Sequence, residues 1–515
     1  MHAQHSEKTE EIVLIPTPTD DPDDPLNWSF KRKLLSMFCL VLYNMAVGVP
    51  SAAIYSVLVP IIENSSLTLS NLNDGTGVMF LFFGWGCLVW QPMAQQYGKR
   101  PVYIFSVFVT LFMMVWAPYT TSSGEWIASK LLQGFFGAPI ESLGEISIAD
   151  IWFEHERGRW MSVYAVSLIV SNQIAPLVAG FISDGQGWKW VCFWCAIFDG
   201  VAVIVLFFFM EETNYTRPHI AADDEIEEIP EEKQIGIVTV EQTDSNPEPL
   251  KYHIDMAKPM KTYTQKLQLL DKPRPFVLHK LMWRSLTMFR FPVVCWSGFY
   301  YGLGVVWFNI LNATGSSIFS SPPYNFSSSM VGVTYIAPIL ATVAFSFISG
   351  NLGDRLRLNA ARKKNGVSEP EDRLWLNTIY LILGPGCFIL WGVGAWKGIH
   401  WIGLVFAMGI LGGAGLMGAH CSINYVLESY CALGSCAMVP VIIIRNTMSF
   451  AVNWGITPWV ENTGIRNTFI AACFISLAGI STYLPMIYYG KRTRVATKDA
   501  YWSYVQEALD LGLPH

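Results

Sequence analysis

The chain has 515 residues, of which 52% are hydrophobic and 14% charged, with a mean hydropathy of +0.34. Soluble domains carry about 25% charged residues, so an ordinary water-soluble fold is excluded. The net charge of −6 says little alone, because the charges crowd into a few segments separated by long apolar stretches. No basic patch interleaved with aromatics lies outside those stretches, so no nucleic-acid partner is expected.

The N-terminal segment is polar and acidic through Asp20, Asp21, Asp23 and Asp24, with no short apolar core ending at a small-residue cleavage site. The first apolar stretch is therefore expected to insert and stay. A bilayer core takes about 20 apolar residues as a helix. By that ruler, spans fall at 34–59, 74–96, 101–120, 126–150, 160–182 and 191–210, then at 291–311, 329–349, 375–395, 401–427, 434–457 and 468–489. The predicted fold is an all-α membrane protein of 12 transmembrane helices in two six-helix halves, 34–210 and 290–489. A tail (1–33) precedes them, a central loop (211–289) joins them and a second tail (490–515) follows. Within the loop, the acidic run from Asp223 to Glu232 lacks apolar periodicity and is expected to be disordered. From Lys261 to Arg290 the loop is basic and amphipathic, which suits a solvated tether and a helix along the inner membrane face equally.

Lys and Arg set the orientation. Lys31 to Lys33, Lys99 and Arg100, Arg157 and Arg159, Arg355 to Lys364, and Lys491 to Arg494 all fall on one side, which predicts that both termini are cytosolic. The opposite loops hold only Lys189, Lys397 and Arg466. Glycosylation sequons at Asn64, Asn312 and Asn325 fall on the predicted outer side; Asn27 and Asn214 match on the inner side, so chance matches are common. The ten cysteines sit nearly all in apolar runs and read as small hydrophobes, not as a disulfide framework.

Several motifs then fall in order. Gln95-Gln96-Tyr97-Gly98-Lys99-Arg100 follows the second span, and Gly350-Asn351-Leu352-Gly353-Asp354-Arg355 occupies the same place in the second half. Lys130-Leu131-Leu132-Gln133-Gly134 lies in the fourth span and Ala175-Pro176-Leu177-Val178-Ala179-Gly180 in the fifth. Asp24-Pro25-Leu26-Asn27-Trp28 and Glu212-Thr213-Asn214-Tyr215 flank the first half. Together they resemble the major facilitator superfamily, and within it the fungal drug:proton antiporter-like twelve-span transporters. The resemblance implies the major facilitator fold, a monomer without cofactor, the proton as coupling ion and gating roles for Gly98, Lys99, Arg100, Asp354, Arg355, Lys130, Gln133, Gly134, Pro176 and Gly180. The chain departs from the pattern in three places. Gln95 and Gln96 replace an acid and a base, Lys130 replaces arginine and loses its bidentate fork, and Ser171, Ala175 and Ala179 stand where glycine is preferred.

Charges inside spans cost about 2.5–3.5 kcal/mol each on insertion scales and mark cavities or partners. Glu141 and Glu145 stand four apart in the fourth span, a spacing that puts both on one helix face. Two such carboxyls in a low-dielectric cavity suit uptake and release of a proton. Arg445 lies mid-span in the eleventh helix, and a salt bridge from it to a carboxylate across the two halves is the structural alternative. Glu428, at the end of the tenth span, reads as a substrate-site or inner-gate residue, and Asn309, on the seventh, as pocket lining. No phosphate-binding G-x-x-x-x-G-K-[ST] run, catalytic triad or zinc motif occurs, so an enzyme is not expected. The leading expectation is a proton-coupled exporter of a small organic molecule in the plasma membrane, with the vacuolar membrane second. The rivals are import of an organic cation such as a polyamine and, remotely, a non-transporting membrane sensor.

Overall fold

The computed structural model describes residues 19, 21–215, 262–268, 276, 278–363 and 369–510. All regular structure among them is helical. The first half contains α1 (Phe30–Ala52), α2 (Leu58–Asn64), α3 (Leu69–Tyr97), α4 (Lys99–Trp116), α5 (Ser123–Gly137), α6 (Leu143–Ile151), α7 (Glu154–Gln186) and α8 (Trp188–Phe209). Two short helices follow, α9 (Tyr263–Lys266) and α10 (Leu278–Thr287). The second half contains α11 (Pro292–Ser320), α12 (Ser328–Val333), α13 (Ile336–Lys363), α14 (Asn377–Lys397), α15 (Trp401–Ser429) and α16 (Gly434–Ser481), continued by α17 (Tyr483–Ala496) and α18 (Lys498–Asp510).

Ten helical stretches among the described residues are long and apolar enough to cross a membrane. Two details reconcile this with twelve crossings. The predicted span at 126–150 is broken into α5 and α6, and α16 runs 48 residues through a sharp turn at Gly464, whose φ of 76° only glycine adopts readily. Counting α5–α6 as one crossing and α16 as two is consistent with twelve. Large apolar side chains such as Phe112, Phe181, Ile204, Leu340, Ile382 and Phe474 stand exposed on the outer surface. Such a belt suits lipid rather than water.

The interior falls into two packed cores. One, around Tyr43, Tyr103 and Trp152, belongs mainly to the first half. The other fills the second half and also takes in Ile54, Tyr55, Trp126 and Ala175 of the first. The halves therefore share a core at the face remote from the first and last described residues, here the far face, while the first half keeps its own core toward the opposite, terminal face. Helices α3 and α16 stay joined along their length: Asn73 Nδ2 donates to Thr457 Oγ1 (2.9 Å) near one end and Gln91 Nε2 to the Ser435 carbonyl (3.1 Å) near the other.

Both described helices of the central loop are docked. Tyr263 Oη donates to the Phe208 carbonyl (2.7 Å), and α10 packs against α3 and α16 together with Leu281, Arg284 and Ser285 buried and Lys280 and Trp283 exposed. The acidic run at 223–232 lies outside the described residues. The C-terminal segment is a docked helix too: in α18, Tyr501 Oη accepts from the Ala432 N–H (3.2 Å) and Val505 is buried.

Candidate functional site

The site is built on a break in the helix that carries its acids. Proline has no N–H to donate, so Pro139 frees the Phe135 carbonyl, and Trp90 Nε1 takes it (2.8 Å). Here α5 tightens into a 3₁₀ turn, Ala138–Glu141, and Ser142 leaves the helical region before α6 begins. The expectation that Glu141 and Glu145 share one continuous helix face is therefore corrected. Glu141 ends the turn, while Glu145 sits in the first turn of a new helix.

The break delivers Glu141 to the second half. Its Oε1 lies 2.5 Å from Arg445 Nη2, with 11% of the glutamate side chain and 7% of the arginine side chain exposed. Arg445 Nη1 donates to Tyr301 Oη (2.7 Å), Nη2 donates to Asn446 Oδ1 (3.2 Å), and the guanidinium lies 4.7 Å from the Tyr301 ring centre. One buried ion pair thus ties the two halves together at mid-bundle. Removing one partner of such a pair costs about 3–5 kcal/mol, because the other is left charged and unpaired. Glu145 makes no hydrogen bond or ion pair with any described residue and is partly exposed. Beside the seam, Gln173 Nε2 donates to Thr342 Oγ1 across the halves (3.2 Å). On α11, Asn309 is buried with no partner for its Nδ2 among the described residues.

At the far face the 175–180 segment packs against α12. A Cβ on Gly180 would meet the Ser328 carbonyl oxygen at 2.3 Å, and Gly332 leaves no more room over the carbonyls of Pro176 and Leu177. Asp184 Oδ2 accepts from the Ser329 N–H (2.9 Å), closing the same contact. On α5, Gly134 lies so close to α3 that a Cβ would come within 2.3 Å of the Met79 carbonyl oxygen. Lys130 is buried, donates to Gln133 Oε1 (2.8 Å) and lies 5.0 Å from the Trp126 ring centre.

At the terminal face, the turn after α3 keeps its charges despite Gln95 and Gln96. Gly98 adopts φ 115°, a region that L side chains rarely enter. The carboxylate of Glu212 accepts the N–H groups of Lys99 and Arg100 (3.0 Å each), and Lys99 pairs with Asp150. Arg100 donates to the carbonyls of Met210 (2.8 Å), Phe207 (2.6 Å) and Leu267. Although Gln95 and Gln96 replace the acid and base of the motif, the turn is not neutralised: its acids come from α6 and from the segment after α8. In the second half, Glu428 sits at the terminal face, paired with Arg357 (2.8 Å) and Arg373 (3.3 Å), away from the Glu141–Arg445 pair. Arg355 is exposed on α13, and the Asp354 side chain lies outside the described residues. Among the sequons, Asn64 and Asn325 are exposed. Asn312 is not an acceptor surface: it is 4% exposed inside α11 and accepts from Tyr335 Oη (3.2 Å).

Residues 36–439 match the model of the Major Facilitator Superfamily. The chain belongs to that superfamily. Among the relatives of this facilitator is Protein HOL1 of Saccharomyces cerevisiae, 27% identical over 95% of this chain and 91% of its own. An uncharacterized MFS-type transporter of Schizosaccharomyces pombe is 25% identical over 99% of this chain and 94% of its own. The fold is also that of a crystallised D-xylose-proton symporter, with TM-score 0.57 and 13% identity over 89% of this chain and 97% of that one.

Three acids of this facilitator carry no signal in residue type alone. Asp150 and Glu212 are acids of a motif turn that looks stripped of acid, and only the sequence signature at 212–215 hinted at the second. Glu371 accepts from Arg494 Nη2 (2.7 Å) and from Tyr425 Oη (3.1 Å), anchoring α17. Nothing in the local pattern pairs those three residues.

Proposed function

We propose that this chain is a proton-coupled secondary transporter that moves a small organic molecule by alternating access, exporting it across the plasma membrane. The observation that carries the reading is the pairing of Glu141 with Arg445 across the two halves, with Glu145 unpaired one turn on. Taking the Lys- and Arg-rich terminal face as cytosolic, the shared far-face core describes a transporter closed to the outside. In the arrangement open to the outside, a proton taken up at Glu145 and passed to Glu141 leaves Arg445 unpaired and the halves apart at mid-bundle. The halves then rock about the α3–α16 contact until the site faces the cytosol. Release of the proton there restores the pair. A substrate that competes for the same carboxylates leaves as the proton enters, which is exchange. Two carboxyls are served by a single arginine here, so a cationic substrate fits better than an anionic one.

Import of an organic cation is the second reading, and the unpaired Glu145 favours it, since the same acid can hold a cation moving inward. Direction is decided by accumulation of radiolabelled organic cations and neutral metabolites in cells lacking or overproducing the chain. Export predicts less accumulation with more protein, and import predicts more. Accumulation indifferent to the amount of protein across the panel contradicts both. In the same assay, Glu145→Gln should abolish the dependence of transport on external pH while the protein still reaches the membrane. An unchanged pH dependence removes the proton role.

A further inference from the structure

We propose that the seam where α10 meets α3 and α16 is a binding site for the phosphate of an anionic phospholipid headgroup, with Arg284 as its central ligand. Arg284 is only 7% exposed, and its Nε and Nη1 are buried with no hydrogen-bond partner among the described residues. Among the described residues, no carboxylate pairs with it. A buried guanidinium without a counter-charge is costly, and the cost is met when an anion completes the site. Arg284 lies near Cys436 at the start of α16, beside Ser435, whose carbonyl accepts from Gln91 Nε2 of α3.

The surroundings commit the site to lipid rather than to a soluble anion. On α10, Lys280, one turn before Arg284, and Trp283 are exposed, followed by exposed Arg290, and Phe276 stands exposed just before the helix. Cations beside large aromatics on a short amphipathic helix suit an anionic interface, where the rings sit at headgroup level and the cations meet phosphate. The helix also touches α3 and α16, one from each half. A headgroup bound there bridges the joint about which the halves turn. The inference needs only that the chain sits in a membrane, and it is independent of proton coupling and direction.

The test uses the full chain, purified in detergent and stripped of lipid, with phosphatidylserine, phosphatidylcholine or inorganic phosphate added back. Native mass spectrometry should show phosphatidylserine retained in preference to phosphatidylcholine, by about fivefold for each basic residue facing the headgroup. Thermal unfolding should shift upward with phosphatidylserine, and Arg284→Gln should lose that shift while Arg284→Lys keeps part of it. Equal retention of the two lipids by the wild-type protein overturns the proposal without any variant. So does a phosphatidylserine shift that survives in Arg284→Gln. A shift with inorganic phosphate and none with phosphatidylserine would assign the site to a free anion and overturn the lipid.

Discussion

At the scale of single residues, the account turns on an ion pair that is buried and joins two bodies. Arg445 contributes to Glu141, Tyr301 and Asn446 at once, so Arg445→Ala strands the glutamate in the seam. The variant should lose transport by more than about tenfold and unfold more readily, by about 3–5 kcal/mol unless Glu141 takes up a proton. The paired variant Glu141→Gln with Arg445→Gln should recover much of that stability and none of the coupling, as thermal unfolding and transport measured together would show. Glu212 is a second case. Burial pushes its carboxyl up from the ordinary glutamate range, while the N–H groups of Arg100, Lys99 and Asn214 pull it back down. A raised value means that the folded protein holds this proton more tightly than the unfolded one, so its contribution to stability is present at low pH and is lost as pH rises through the folded value. Glu212→Ala orphans those N–H donors and should cost about 1–3 kcal/mol for each left unsatisfied. Glu212→Gln, which keeps an acceptor, should cost less, and thermal unfolding should show its deficit shrinking as pH rises.

At the scale of helices, closure of the far face depends on α7 lying directly against α12. Since a Cβ on Gly180 would come within 2.3 Å of the Ser328 carbonyl oxygen, Gly180→Leu should hold the two apart. Ser328 is buried, so in that background a Ser328→Cys thiol should react with a membrane-impermeant maleimide from the far side, and transport should fall to background. The helices themselves were largely legible, because each crossing is an apolar run of the length a bilayer demands. Their breaks were less so. Pro139 signalled a bend in the fourth span, but the depth of the disruption depends on Trp90 capturing the freed carbonyl from a neighbouring helix, a tertiary event with no local signature. Likewise the basic amphipathic stretch before α11 left tether and helix equally open, and the outcome was settled by the partners it meets on α3 and α16.

At the scale of the whole molecule, two halves share a core at one face and are tied at mid-bundle by one pair of charges. The candidates were legible, since an arginine and two glutamates inside apolar spans are conspicuous. Their partnership was open, because nothing in a single sequence fixes how the fourth span of one half registers against the eleventh of the other. The same limit explains Glu428: substrate site and inner gate were both open for it, and it lies in a terminal-face cluster with Arg357 and Arg373, away from the Glu141–Arg445 pair. The central claim, that protonation of the Glu141–Glu145 acids sets the balance between two arrangements of the halves, is tested most directly by a distance across the far face. Spin labels at Ser123→Cys, exposed at the far end of α5, and Ser329→Cys, with exposed Cys431 and partly exposed Cys295 replaced by serine, report it without knowledge of the substrate. Two populations whose ratio shifts with pH in the wild-type background, and stops shifting in Glu145→Gln, are the predicted result; a single distance indifferent to pH, or a shift that survives the substitution, would contradict the account.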